Sequence, residues 1–190
     1  MADGFAAIVL SGGRATRLGG GDKGAIVVDG TSLLERVLAA TASATETIVV
    51  GDSTATSRAV TWTREQPVGG GPAAGLYAGL DTLTGSPATV TVVAVDLPRI
   101  TTETLVRLMQ SLEPADDGAV LVDAGGQVQP LCAVYRVAAL QRVRPPVTQD
   151  RSMKSLLDGL TIKQVAALPG EARDIDTWDD LASVHEPRDL

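Results

Sequence analysis

Apolar residues in this chain fall in short unbroken runs separated by glycine, proline and polar clusters, which is how buried strands read. Ala6-Ala7-Ile8-Val9-Leu10 is the first such run. Ala25-Ile26-Val27-Val28 predicts a short strand, and Asp29-Gly30 a turn after it. Thr31 or Ser32 is placed to cap a helix with the apolar stripe Leu33, Leu34, Val37 and Leu38, and Glu35 would close a capping box with Ser32. Residues 46–51 predict another strand; residues 59–63 alternate in character, which puts them nearer a sheet edge. Pro72 suits the first turn of a helix over 73–80 that is packed with small residues. Residues 88–95 form the most strand-like run of all, ending at Asp96-Leu97-Pro98. Thr101 or Thr102 opens a helix carrying Leu105, Leu108, Met109 and Leu112. Residues 118–122 and 128–136 flank the turn Asp123-Ala124-Gly125-Gly126 as in a hairpin. Ser152 begins a helix with Leu156 and Leu157, and residues 173–176 predict a short strand before a final capped helix.

Strands alternating with helices imply an α/β fold: a Rossmann-like, mostly parallel sheet with helices on both faces, interrupted by one antiparallel hairpin. The chain shows no internal repeat and no long linker, so residues 1–190 are expected to form a single domain. In such sheets ligands bind beyond the carboxyl ends of the strands. Three stretches follow predicted strands and are expected to meet there: the loop after Leu10, the loop at 67–72, and Asp96.

The loop after Leu10 carries the strongest chemical signal. Ser11-Gly12-Gly13-Arg14-Ala15-Thr16-Arg17-Leu18-Gly19-Gly20-Gly21-Asp22-Lys23 holds five glycines and three cations. Glycine lets backbone N–H groups approach a ligand, successive N–H groups cradle an anion, and Arg14, Arg17 and Lys23 add full charges where phosphates would sit. It is not a Walker A loop, because Lys23 stands between Asp22 and Gly24, and adjacent Gly12 and Gly13 break the dinucleotide-binding spacing. The second glycine-proline loop includes Gly71 and Pro72. Its small-residue helix fits either a close ligand or a tight helix–sheet contact. Asp96, at the end of a buried strand, suits a magnesium ion, which takes one or two carboxylates together with substrate phosphates. Asp176 fits equally as a second metal ligand or as the N-cap of the last helix.

Composition narrows the field. The formal net charge is −7, a poor match to nucleic acid, so the positive loop has to supply local charge for any polyphosphate. Aromatic residues make up only 3% of the chain, so the core is aliphatic. No apolar run reaches the length of a membrane span, and the first residues lack the basic region of a secretory signal. Cys132 is the single cysteine, which excludes an internal disulfide and favours a cytoplasmic setting. Cys132 on an apolar strand reads as core, and the lone His185, in a charged tail, as solvated. No nucleophile–base pair is apparent.

The pattern Leu10-Ser11-Gly12-Gly13, Arg17, Gly19-Gly20 and Asp22-Lys23-Gly24 resembles the signature of the molybdenum cofactor guanylyltransferases, the MobA-like nucleotidyltransferases. Val95-Asp96-Leu97-Pro98 resembles that family's magnesium-linked motif. Asp174-Ile175-Asp176-Thr177 resembles its C-terminal segment, with Trp178 where the family often has proline. Asp52 and Ser53 stand where the family often has asparagine. The resemblance spans Leu10 to Leu181. It implies a nucleotidyltransferase fold and transfer of GMP from GTP to the terminal phosphate of molybdopterin, with pyrophosphate released and Mg2+ required. Lys23, Arg17 and Asp96 would be catalytic. Leu10, Ser11, Gly12, Gly13, Arg14, Gly71 and Pro72 would join them in holding the nucleotide, and Asp96 and Asp176 would hold the metal. Gln129-Pro130-Leu131 resembles a segment on the acceptor side. Transient contact with molybdoenzyme maturation proteins is a further expectation. The rival readings are a molybdopterin cytidylyltransferase or another small nucleotidyltransferase, and a non-catalytic nucleotide-binding accessory protein.

Overall fold

A computed structural model describes residues 4–12, 22–177 and 179–181. Seven strands form one sheet in the order β5-β4-β1-β6-β8-β7-β9. Third in that order is β1 (Ala6–Leu10), flanked in parallel by β4 (Glu46–Val50) and β6 (Thr89–Ala94). The edge strand β5 (Thr61–Thr63) continues the parallel half, as its alternation indicated. On the other side β8 (Val128–Arg136) runs antiparallel to both β6 and β7 (Gly118–Val122), and β9 (Ile162–Ala166) closes that edge parallel to β7. The predicted hairpin is therefore real, and its return strand is inserted between β6 and β7.

Period-two alternation assigns each strand residue to a face. Ile8 and Leu10 of β1, with Val90 and Val92 of β6, pack on α2 (Pro72–Thr82), alongside Leu140 of α4 (Val137–Arg142) and Met153 and Leu156 of α5 (Met153–Leu157). Val9, Val93 and Val95 face the other way, against Val37 and Leu38 of α1 (Leu33–Ala40) and Leu105 and Leu108 of α3 (Thr102–Ser111). Helices thus cover both faces, and the core is aliphatic apart from the fully buried Tyr77 and Tyr135.

Local sequence accounts for most helix ends. Ser32 accepts the Glu35 N–H as N-cap of α1, but the Glu35 carboxylate turns to the N–H and hydroxyl of Ser57, so the expected capping box is half made. Thr101 caps α3, and Thr104 reaches back to the Thr101 N–H, completing a reciprocal pair. Half of the strand predicted over 25–28 forms: Ala25 ends a 3₁₀ turn (Lys23–Ala25), and Val27–Val28 (β2) pairs with β3 (Thr31–Ser32) across a turn in which Asp29 and Gly30 have φ of 50° and 78°. Residues 173–176 are not a strand: Ile175 is buried as an anchor, and its N–H donates to the Asp96 carbonyl. α4 and β9 have no counterpart in the sequence reading.

Candidate active site at the carboxyl edge of the parallel strands

The register puts Leu10 opposite both Val50 and Ala94, so β1, β4 and β6 end level with one another. The backbone stitches these ends together. The N–H groups of Ser11 and Gly12 both donate to the Val50 carbonyl, and the Val95 N–H donates to the Leu10 carbonyl. Two N–H groups of residues expected to hold the nucleotide are therefore engaged with β4 here. Gly75 rests on Leu10 and Val50 at these ends, and a Cβ at Gly79 would lie 2.6 Å from Ile8 Cγ2. The small-residue face of α2 is thus a tight helix–sheet contact. Gly71 and Pro72 lie one turn before Gly75, Gly71 with φ of 89° as N-cap and Pro72 as first residue of α2. The neighbouring Gly70 carbonyl accepts the Asp150 N–H, so the loop before α5 braces this corner.

Lys23 is delivered to the same edge by its 3₁₀ turn. Asp22 caps the turn by accepting the Gly24 N–H at 2.9 Å. Gly24 lies against Ser11: a Cβ there would sit 2.6 Å from Ser11 Oγ, so a side chain at this position would require the Ser11 hydroxyl to move. From this position Lys23 Nζ reaches Asp176 Oδ1 at 2.6 Å and Asp96 Oδ2 at 3.2 Å. Its side chain is 12% exposed, against 29% for Asp96 and 50% for Asp176. Burial works against the ammonium, but the Asp96 charge and the hydrogen bonds to both carboxylates outweigh it, holding the Lys23 pKa above that of a free lysine. Asp174 joins the cluster. Its pKa is raised, first by burial and then by the nearby charges of Asp176 and Asp96.

The alternative role for Asp176 is resolved by its neighbours. Thr177 Oγ1 accepts the Asp180 N–H, while the Asp180 carboxylate accepts from the N–H and hydroxyl of Thr177. Thr177 is the cap, and the Asp176 carboxylate is left to the site. Asp52 is ion-paired with Arg64 on the surface. Gly13, Arg14 and Arg17 lie outside the described residues, as does His185. Cys132 is fully buried, and burial pushes its thiol pKa far up, which removes it as a nucleophile.

The donor set suits a hard divalent cation. Two carboxylate oxygens already converge on one cationic atom, Lys23 Nζ. Among the described residues no group of three or more His, Cys, Asp or Glu side chains is arranged to hold a metal alone. Magnesium, which takes one or two carboxylates and completes its shell with phosphates and water, fits such a pair.

Sequence reasoning missed what holds the Asp176 segment in place. After β9 the chain crosses α3, where Glu171, 6% exposed, accepts from Thr104 Oγ1, Arg107 and the Leu168 N–H. Ile175 then enters the core and Asp176 emerges beside Lys23.

Comparison with known proteins agrees with this geometry. Residues 7–166 match the family model of the MobA-like NTP transferase domain. A molybdenum cofactor guanylyltransferase of Vibrio cholerae is 30% identical over 157 residues, covering 80% of this chain and 75% of that protein. The crystal structure of molybdopterin-guanine dinucleotide biosynthesis protein A from Archaeoglobus fulgidus superposes with a TM-score of 0.71 at 21% identity, over 94% of this chain and 96% of that one. Rv0371C of Mycobacterium tuberculosis, solved in complex with manganese, superposes at 0.73 with 19% identity, over 95% of this chain and 97% of that one.

Proposed function

Because the chain belongs to the MobA-like NTP transferase domain family, whose members are nucleotidyltransferases, we propose that it passes GMP from GTP to the terminal phosphate of molybdopterin, releasing pyrophosphate. The observation that carries this reading is Lys23 lodged between Asp96 and Asp176 at the carboxyl edge of β1 and β6. A cation able to meet a triphosphate and a carboxylate pair able to hold its metal stand at one point, which is what phosphoryl-centre chemistry requires.

The protein's part is positioning and charge. Lys23 and Arg17 would hold the β- and γ-phosphates and stabilise the charge that collects on departing pyrophosphate. Arg14 and the Ser11–Gly13 backbone would line the phosphate path, and Leu10, Gly12 and the Gly71-Pro72 corner would bound the base. Bound magnesium, held by Asp96 and Asp176, would neutralise phosphate charge at the α-phosphorus. The acceptor's own phosphate oxygen attacks that phosphorus, so no protein nucleophile is needed, in keeping with the buried state of Cys132. Gln129-Pro130-Leu131, at the β8 end that follows the hairpin turn, is assigned to the acceptor side.

The whole of residues 1–190 is read as one catalytic unit. No helix among the described residues is long and apolar enough to cross a membrane. With a single, buried cysteine, we place the protein in the cytoplasm, where its product would pass to molybdoenzyme maturation proteins through transient contacts. Calorimetry with GTP, CTP, ATP and UTP in the presence of magnesium tests the base assignment. GTP should bind most tightly, because a site that satisfies guanine's donor edge penalises a base that leaves those groups unpaired by about 1–3 kcal/mol per buried group. Preference for CTP would move the protein to the cytidylyl reading; binding with no transfer would favour the accessory-protein reading.

A further inference from the structure

Lys23 occupies the point at which its two carboxylate partners would hold a metal. Its Nζ lies 2.6 Å from Asp176 Oδ1 and 3.2 Å from Asp96 Oδ2. A magnesium ion bound by the same oxygens would sit at about 2.0–2.1 Å from each. Ammonium and metal cannot share that space, and their charges repel. The turn that carries Lys23 is fixed by the Asp22 cap and by the close approach of Gly24 to Ser11, so the exchange falls to the side chain alone.

The charges give the exchange a direction. Among the described residues Asp96 and Asp176 share one lysine, with the charge of Asp174 nearby, leaving the cluster formally short of positive charge. A metal that displaces Lys23 from the free protein relieves the carboxylates but leaves a half-buried ammonium without a partner, which is unfavourable. A triphosphate arriving with the metal supplies that partner.

We propose that Lys23 is the resident cation of the metal seat: in the nucleotide-free protein it competes with divalent metal for the carboxylates and weakens metal binding, and it yields them readily once a nucleoside triphosphate takes over its ammonium. Metal and nucleotide are then admitted together, each raising the other's affinity by the same factor. The inference rests on the nucleotidyl-transfer reading of this site and adds the order in which it fills.

Manganese binding to the purified nucleotide-free protein, followed by electron paramagnetic resonance of the free ion, is the test. Lys23→Met and Lys23→Gln should bind manganese more tightly than wild type, on the order of tenfold or more. Lys23→Arg, which keeps the charge, should stay as weak as wild type. Equal affinity in all four proteins, or tightening in the arginine variant as well, overturns the inference. Should the uncharged variants not fold, trace acylation of Lys23 in the wild type decides it. Saturating manganese should raise the labelling rate of Lys23 severalfold, and an unchanged rate is contrary to the proposal. GTP binding measured on the same samples separates the two readings. Wild type that binds GTP while manganese affinity ignores the lysine sinks this inference alone. Tightening without any GTP binding sinks the transferase reading alone.

Discussion

Two ion clusters hold the same C-terminal strap, and they are built differently. At Glu171 the carboxylate is 6% exposed and meets Arg107, the Thr104 hydroxyl and the Leu168 N–H, so its oxygens are satisfied. At Asp176, a few residues on, the carboxylate is 50% exposed and shares one lysine with Asp96, with Asp174 adding a further negative charge. The carboxylate of the first cluster is fully partnered and nearly closed to solvent. Among the described residues the second cluster is over-acidic, open to solvent and short of cations. A buried, balanced pair is what a structural brace needs, since breaking one by removing a partner is costly. An open, unbalanced cluster is wasteful for stability and suits a site that awaits a charged ligand. The difference separates a brace from an active centre without reference to any relative.

The comparison is broken most decisively at Lys23. Lys23→Ala should lower transfer by about 10²–10³-fold, the scale of losing a preorganised charge at the reacting centre, while the protein stays folded. Pyrophosphate release with GTP and molybdopterin, beside a thermal melt, checks both parts. Wild-type turnover would remove Lys23 from the phosphate site, and loss of the fold would make its cluster structural after all. Asp96→Asn should come next, with most activity lost, nucleotide still bound, and the dependence on magnesium shifted to higher concentration, because the amide keeps size but not charge. A magnesium titration of both proteins is the measurement. An unchanged dependence would place the metal elsewhere.

The brace should respond in the opposite sense. Glu171→Ala strands Arg107 and Thr104 and should destabilise the fold by about 2–3 kcal/mol, a figure reduced from that of a fully buried pair because Arg107 is partly exposed. Turnover per folded molecule at low temperature should remain within a few-fold of wild type, whereas Lys23→Ala spares the melt and loses the turnover. The smallest effect belongs to Asp174→Asn. Because the folded-state pKa of Asp174 is raised, by burial first and then by Asp176 and Asp96, its ionised form opposes folding. That penalty is absent below the ordinary aspartate pKa and develops as pH rises towards the raised value. Asp174→Asn should therefore be slightly stabilising at pH 7, by no more than a few tenths of a kcal/mol for so exposed a group, and neutral near pH 3. Melts at the two pH values read the difference.

Much of this was legible in the chain. The runs ending at Leu10 and near Asp96 announce buried parallel strands because such strands are apolar on both faces. The glycine-rich loop with a terminal lysine is the sequence feature on which the proposed anion site rests. β9 escaped notice because it is an edge strand in which Lys163 and Gln164 interrupt the apolar residues, so its apolar signal is diluted. α4 begins directly where β8 ends, with no glycine or proline to punctuate it. Glu171 sits in a Leu-Pro-Gly-Glu turn where nothing local betrays a partner on α3. Both Asp176 and Thr177 suit the cap position by residue type, and the reciprocal bonds between Thr177 and Asp180 make Thr177 the cap.

The central claim, guanylyl transfer at the Lys23–Asp96–Asp176 cluster, is tested most directly by incubating the purified protein with magnesium, molybdopterin and GTP labelled at the α-phosphate. We expect label to appear on molybdopterin in one-to-one proportion to released pyrophosphate, with CTP a poor donor and Lys23→Ala inactive. Pyrophosphate release without label on the acceptor, label transferred preferentially from CTP, or undiminished transfer by Lys23→Ala would contradict it.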